Sequence, residues 1–274
     1  MTKIFKCDKQ NVCFIGDIHG EFNHLYGLMK HNGLQDTVYI ICGDCGFGFY
    51  KKEYYSKVFD KLTRFASKNN CEFLFVRGNH DSKKWFEKQM IHRKCFKTVP
   101  DYSVIQTAKH NILCIGGAIS IDRTFRKSVL EKNILDYAKY HNCSLKEANK
   151  LCPQLYWEDE PCCFDEKALE ELKLNNIKID IVCTHTCPSF CKPLTKDGIK
   201  GWLRLDESLE NDINKERNVM DKIYCKLKQE EHAINKWFYG HFHFHNSEYI
   251  EGTNFIMLDM YRNGNFDSYI VKET

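Results

Sequence analysis

Val12-Cys13-Phe14-Ile15-Gly16-Asp17-Ile18-His19-Gly20 is a short apolar run that stops at a glycine and hands over an aspartate and a histidine. A continuous apolar run of this length suits a strand buried on both faces, and such strands belong to sheets covered by helices. The next residues agree: Phe22, Leu25, Leu28 and Met29 recur at helical spacing and stop near Gly33. The pairing of apolar run and polar cluster then returns. Val38–Cys42 leads to Gly43-Asp44, and Glu72–Val76 leads to Gly78-Asn79-His80-Asp81. Ile179–Cys183 leads to Thr184-His185, and Trp237-Phe238-Tyr239 to Gly240-His241-Phe242-His243. With a helical pattern at Val58, Leu62, Phe65 and Ala66 and a further strand at Asn111–Ile115, the order is that of an α/β fold. Open α/β sheets place their active sites at the carboxyl ends of strands.

The rest of the chain is read more coarsely. Residues 123–176 look mostly helical, with a capping box at Ser144 and Glu147 and an apolar stripe at Ala168, Leu169, Leu172 and Leu174. Residues 204–231 read as a charged helix burying Leu205, Leu209, Ile213, Ile223 and Leu227. Asn254–Met260 and Phe266–Val271 read as two strands joined by the turn Arg262-Asn263-Gly264-Asn265, a hairpin signal. No repeat or Pro/Gly linker interrupts residues 1–274, so one domain with a helical insert at about 123–176 is expected.

Composition excludes several classes. The chain has 274 residues, 43% of them hydrophobic, and a formal charge of +3, which demands no nucleic-acid clamp. No apolar run approaches the roughly 20 residues of a membrane span, and residues 1–8 lack the apolar segment of a signal peptide. A cytoplasmic protein without a membrane partner is expected. Of the 15 cysteines, Cys13, Cys42, Cys114 and Cys183 sit inside apolar runs as small buried hydrophobes. Cys42-Gly43-Asp44-Cys45 has no second C-x-x-C pair to close a zinc site.

The strand-end clusters carry the chemistry. Asp17 and His19 are two residues apart, as are His241 and His243, so on a strand each pair would point to one side. Asp44 has two oxygens and can bridge two ions, and Asn79 adds a neutral carbonyl oxygen. Asp17, His19, Asp44, Asn79, His185, His241 and His243 make seven candidate ligands. That set suits two divalent ions about 3.5–4 Å apart. Its imidazole content favours Mn, Fe, Zn, Co or Ni over Mg or Ca, with Mn the first choice. Any one cluster alone could be a turn or a satisfied core histidine; five in register after apolar strands argue for a shared centre.

The order D-x-H, G-D, G-N-H-D, T-H, G-H-x-H, spanning residues 16–243, resembles the calcineurin-like metallophosphoesterase superfamily. Gly116-Gly117-Ala118, Asp122-Arg123 and Tyr156-Trp157-Glu158 are similar to small bacterial and phage members. The resemblance implies a four-layer α/β/β/α sandwich with mixed sheets and metals at the strand carboxyl ends. It implies one metal on Asp17, His19 and His243, another on Asn79, His185 and His241, and Asp44 bridging. It also implies that His80 contacts the scissile phosphate. One departure stands out. Protein Ser/Thr phosphatases and their bacterial relatives carry G-D-x-x-D-R-G, and this chain has Phe47 for the second Asp and no Arg. That weakens a protein-phosphatase reading and leaves His80 without an identified partner.

The expected chemistry is hydrolysis of a phosphate monoester or diester, a nucleotide or nucleic-acid end among the candidates. Two cations lower the pKa of a shared water, and the hydroxide attacks phosphorus in line. His80 serves the leaving oxygen as a catalytic group beside Asp44. Arg123 and Arg126, together with Asn79 and His80, are candidate phosphate contacts. The aromatic and lysine residues between Phe47 and Tyr55 could stack a base, though packing on the domain is commoner. A protein phosphatase or a non-catalytic metal-binding scaffold of the same fold are the alternatives. Substrate, metal identity and oligomeric state are not written in these motifs.

Overall fold

A computed structural model describes residues 2–31, 33–195 and 198–272. In chain order its strands are β1 (Ile4–Lys6), β2 (Asn11–Ile15), β3 (Thr37–Ile41), β4 (Glu72–Phe75), β5 (Phe96–Thr98), β6 (Ser103–Gln106), β7 (Asn111–Ile115), β8 (Ile181–Thr184), β9 (Lys236–Tyr239), β10 (Asn246–Ile250), β11 (Thr253–Met257) and β12 (Ser268–Lys272). Its helices are α1 (Leu25–His31), α2 (Lys52–Lys68), α3 (Lys83–Glu87), α4 (Arg123–His141), α5 (Leu145–Leu151), α6 (Glu166–Leu174), α7 (Lys200–Leu203) and α8 (Leu209–Gln229).

Two mixed sheets form, one of five strands in the order β12-β2-β3-β4-β5 and one of seven in the order β1-β6-β7-β8-β9-β11-β10. Alternation along each strand explains how they stack. Val12 and Phe14 of β2, Val38 and Ile40 of β3, and Leu74 of β4 face Ile112, Cys114, Ile181 and Phe238 of the other sheet. The rings of Phe14 and Phe238 stack at 3.8 Å across that interface. The intervening residues face outward under helices. Tyr39, Ile41, Phe73 and Phe75 pack with α1, α2 and α3 through Leu28, Phe59, Leu62 and Trp85. Leu113, Val182, Trp237 and Tyr239 pack with α6 and α8 through Leu169, Leu172, Met220 and Leu227. The layers are therefore α/β/β/α. Every residue of β3 and of β4 is buried, Thr37 and Glu72 at their starts included, the two-sided burial that the apolar runs after them require.

β2, β3 and β4 run parallel with Ile15 level with Ile41 and Ile41 with Phe75, so the chain leaves all three at one edge of the sheet. β7, β8 and β9 are likewise parallel. The polar clusters begin at these ends.

Some expectations need correction. The turn at 262–265 forms, with Arg262 and Asn265 bonded to each other, but it joins no hairpin. β11 pairs with β9 in one sheet, whereas β12 crosses to pair antiparallel with β2 in the other. A turn signal reports local backbone preference, and partner choice is decided by which open edge the strand can cover. Leu174 and Leu205 were expected inside and are 82% and 63% exposed. The short strands β1, β5, β6 and β10 carry no clear apolar pattern and escape the sequence reading. The capping box at Ser144 and Glu147 is present in both directions. Among the described residues no helix is long and apolar enough to cross a membrane.

Candidate metal centre

The seven candidate ligands come from loops at the ends of β2, β3, β4, β8 and β9, and the structure brings all of them together. Asp17, His19, Asp44 and His243 place one donor atom each within 4.8 Å of one another. His19 Nε2 and His243 Nε2 lie 3.2 Å apart, and Asp17 Oδ2 is 3.3 Å from His243 Nε2. A second group adjoins. Asn79 Oδ1 stands 2.9 Å from His185 Nε2 and 3.0 Å from His241 Nδ1. Asp44 belongs to both groups, with Oδ1 3.1 Å from His185 Nε2 and Oδ2 3.9 Å from His19 Nε2.

The strand-period argument for His241 and His243 does not hold. Neither they nor His19 lie on a strand, and their φ angles are positive, at 71°, 53° and 43°. Asp44 is the same, with φ 44°. The left-handed turns send His241 to the Asn79 group and His243 to the Asp17 group. Left-handed backbone at non-glycine residues costs energy and persists where the surroundings enforce it. Here the enforcement is visible. The His241 N–H donates to both oxygens of Asp17 at 3.2 Å, and the His80 N–H donates to Asp44 Oδ1 at 2.8 Å. Gly43 has φ 105°, and a Cβ there would run into the His185 ring. The His185 Nδ1 lies 2.8 Å from the Cys42 carbonyl, a contact that fixes the ring and turns Nε2 toward Asp44.

Protonation here is conflicted. Burial opposes the Asp44 anion, yet His80 and His185 hold its carboxyl well below the usual range. Burial also opposes the His185 cation, and Asp44 and Asp17 nevertheless push it up to about 10. His241 goes the other way, down to about 3, through burial and the charge of His185. Two carboxylates and four imidazoles crowd one largely buried place, and divalent cations complement such a donor set.

Sequence reading missed several supporting residues. Asp81, wholly buried, accepts backbone N–H bonds from Gly78, Cys45, Gly46 and Phe47 at 2.7–2.9 Å, clamping the loop after β3 to the loop after β4. Burial and Asp44 push it up to about 7 against those bonds. Asn79 Nδ2 donates to Ser120 Oγ at 2.9 Å, and Ser120 Oγ donates to Glu160 Oε2 at 2.7 Å. That chain leaves Asn79 Oδ1 pointing at the histidines. Asp81 was visible within its motif; Ser120 and Glu160 lie 41 and 81 residues beyond Asn79 and have no motif of their own.

His80 acquires neighbours. Its Nε2 is 3.8 Å from Asp44 Oδ2 and accepts a bond of 2.8 Å from Arg126 Nη2. Burial, helped by Arg126 and two histidines, drives His80 well below its ordinary value despite Asp44. Phe47 is buried among Phe22, Tyr55 and Trp85 and offers His80 nothing. Phe49 rests against Trp157 and lies edge-on to His80 at 6.2 Å; Phe47 and Tyr55 are buried in the body of the protein, whereas Tyr50 is 53% exposed. Arg123 is not brought to the cluster; its guanidinium is taken up by Asp206, Asp212 and Ser208. A cavity of about 550 Å³ opens beside Asp44, Asn79, His80 and His241 and runs under α8.

A family model described as calcineurin-like phosphoesterase matches residues 11–245. Similar solved structures include a dimetal phosphatase from Danio rerio, 12% identical, covering 92% of this chain and 88% of that one with a TM-score of 0.47. The anchor in the inner membrane complex of Plasmodium is 13% identical, with 91% and 71% covered and a TM-score of 0.42. A Staphylococcus aureus protein described as a 5′-nucleotidase is 12% identical, with 96% and 51% covered and a TM-score of 0.43.

Proposed function

The chain belongs to the calcineurin-like phosphoesterase family, and on that premise we propose that it hydrolyses phosphate esters with two divalent metal ions. We read residues 1–274 as one such domain with its helical insert at about 123–176. The carrying observation is Asp44, whose two oxygens face separate sets of nitrogen and oxygen donors. In this reading Asp17, His19 and His243 hold one ion, Asn79, His185 and His241 hold the other, and Asp44 holds both. The ions would supply Lewis acidity, acidifying water and neutralising charge on the phosphoryl oxygens.

The chain's own residues do the rest. Arg126 can leave His80 for a phosphoryl oxygen, since a guanidinium matches phosphate geometry in a two-point contact. His80 Nε2, released from Arg126, is then available to the leaving oxygen. While Arg126 donates to it, His80 Nε2 is unprotonated; with that guanidinium moved to the phosphate, the imidazole can take a proton from water and pass it to the leaving oxygen. Arg126 comes from α4 rather than from the loop after β3, which offers His80 a partner that the second motif lacks. Arg123 is assigned no contact with substrate.

Metal analysis of the purified chain comes first, with Mn, Fe, Zn, Co and Ni as the expected range and Mn favoured. Phenyl phosphate and bis(p-nitrophenyl) phosphate are then assayed with each ion added. At least one ester should be hydrolysed, and Asp44→Asn should abolish both turnover and stoichiometric metal. Hydrolysis of neither ester under any divalent ion would return the protein to the scaffold reading.

A further inference from the structure

We infer that the cavity beside the donor cluster receives the alcohol half of the ester, and that Thr186, Glu216 and Arg217 select a nucleobase-bearing alcohol there. The inference rests on the phosphoesterase reading and names the substrate class of that same site.

Three observations converge on this cavity. The first is its size and walls. About 550 Å³ lies within the usual range of small-molecule sites, and Ile121, Trp202, Ile213 and Phe242 supply apolar wall. A flat, largely apolar body fits such a wall better than a phosphorylated side chain with hydrogen-bonding peptide backbone on either side.

The second is a charge on an apolar stripe. Leu209, Ile213, Glu216, Met220, Ile223 and Leu227 follow one another at three- and four-residue steps and share one face of α8. Five of the six serve the core or the cavity wall as hydrophobes. Glu216 occupies its place on the stripe only 4% exposed, where burying a carboxyl among hydrophobic neighbours is costly unless it is paired.

The third is a set of unmatched polar atoms. Glu216 Oε2, Thr186 Oγ1 and Arg217 Nε are buried without a well-formed hydrogen bond, although the Thr186 hydroxyl and the Ile119 amide lie close to the Glu216 carboxyl, and all three residues line the cavity. Arg217 is held in position by its Nη2 bonds to the carbonyls of Pro188 at 2.6 Å and Cys191 at 2.7 Å. The trio offers an acceptor, a donor and a hydroxyl that can be either. Buried polar groups are normally paired, so a cavity with several unpaired ones is complementary to a ligand that pairs them. A nucleobase edge presents such a mixture of ring N–H, amino and carbonyl groups, on a body suited to the wall formed by Trp202 and Phe242.

The test uses the full chain loaded with Mn²⁺ and compares kcat/KM on the four common nucleoside 5′-monophosphates with that on phenyl phosphate, which has a flat body and no polar edge. The best nucleotide should exceed phenyl phosphate by about ten-fold or more. Glu216→Gln should reduce that ratio by roughly ten-fold, because a site that pairs polar groups discriminates strongly against ligands that leave them unpaired. Thr186→Val, which keeps the side-chain shape, should lower the same ratio independently of whether the Glu216 variant folds. A wild-type ratio near one, or a ratio that survives both substitutions, overturns the inference and leaves the phosphoesterase reading standing. If no ester is turned over, the phosphoesterase reading has failed by itself and binding decides. Calorimetry with adenosine and guanosine should then show affinity weakened about ten-fold by Glu216→Gln, and absence of wild-type binding overturns the inference.

Discussion

Asp44 shows how much one side chain can be asked to do. It sits in a left-handed turn, accepts the His80 amide, faces His185 with one oxygen and His19 with the other, and is 1% exposed. His80 stands beside it with Arg126 on its Nε2. His80→Asn should keep the metal content of the wild type and lower kcat by roughly 10²–10⁴-fold on esters with poor leaving groups. Metal analysis and a leaving-group series check both parts, and equal turnover would remove His80 from the chemistry. Glu160 makes a different residue-scale prediction. Its buried carboxyl is bonded to the Ser120 amide and hydroxyl, and burial pushes it from 4.5 up to about 8 against those bonds. A carboxyl raised on folding favours the folded state when protonated. Its contribution is complete below the unfolded value near 4.5 and is lost as pH rises through about 8. Metal-free protein should therefore lose stability from pH 5 to pH 8, by an amount on the order of 2–4 kcal/mol. Urea titrations at several pH values should show that slope flattened in Glu160→Gln.

At the scale of elements, α4 and α8 are tied by one guanidinium. Arg123, at the first turn of α4, reaches Asp206 and Ser208 before α8 and Asp212 within it. The groups are partly buried, so the tie exceeds an open surface pair, which contributes at most about 1 kcal/mol. Arg123→Ala should cost about 1–3 kcal/mol in urea unfolding and leave KM for phenyl phosphate unchanged, whereas Arg126→Ala should raise that KM. A raised KM in the Arg123 variant would return Arg123 to the substrate. The C-terminal segment is the other lesson at this scale. Between Leu258 and Asp267 the chain leaves one sheet for the other. On the way Tyr261 N–H donates to the Asp17 carbonyl at 2.7 Å and Gly16 N–H donates to the Asp267 carbonyl at 3.2 Å. The crossing that defeats the hairpin expectation thus braces the loop that carries Asp17.

Across the whole molecule, two sheets bring carboxylates and imidazoles from residues 17 to 243 into one place, and their mutual conflict should make metal a stabilising ligand. Adding Mn²⁺ to chelator-treated protein at 100-fold above its dissociation constant should contribute about 2.7 kcal/mol, raising Tm by several degrees. Scanning calorimetry checks this, and Asp44→Asn should erase the shift. Much of this arrangement was legible beforehand. Apolar runs such as Val38–Cys42 and the polar groups after them mark buried strands and their ends through local composition, and that information is carried within a few residues. The layering also followed once the motif order suggested a family. Other features were not local. His241 and His243 differ by two positions yet serve opposite sides of Asp44, because left-handed turns override strand alternation. Ser120, Glu160 and Arg126 reach Asn79 and His80 from 41, 81 and 46 residues away through packing that leaves no local spacing signal. β12 covers β2 because an open sheet edge was there to be covered, a fact that the sequence of the turn before it cannot contain. Sequence by itself determined which groups were available and where strands would end; only the tertiary structure decided which of them meet, because side-chain direction and edge pairing depend on neighbours far along the chain.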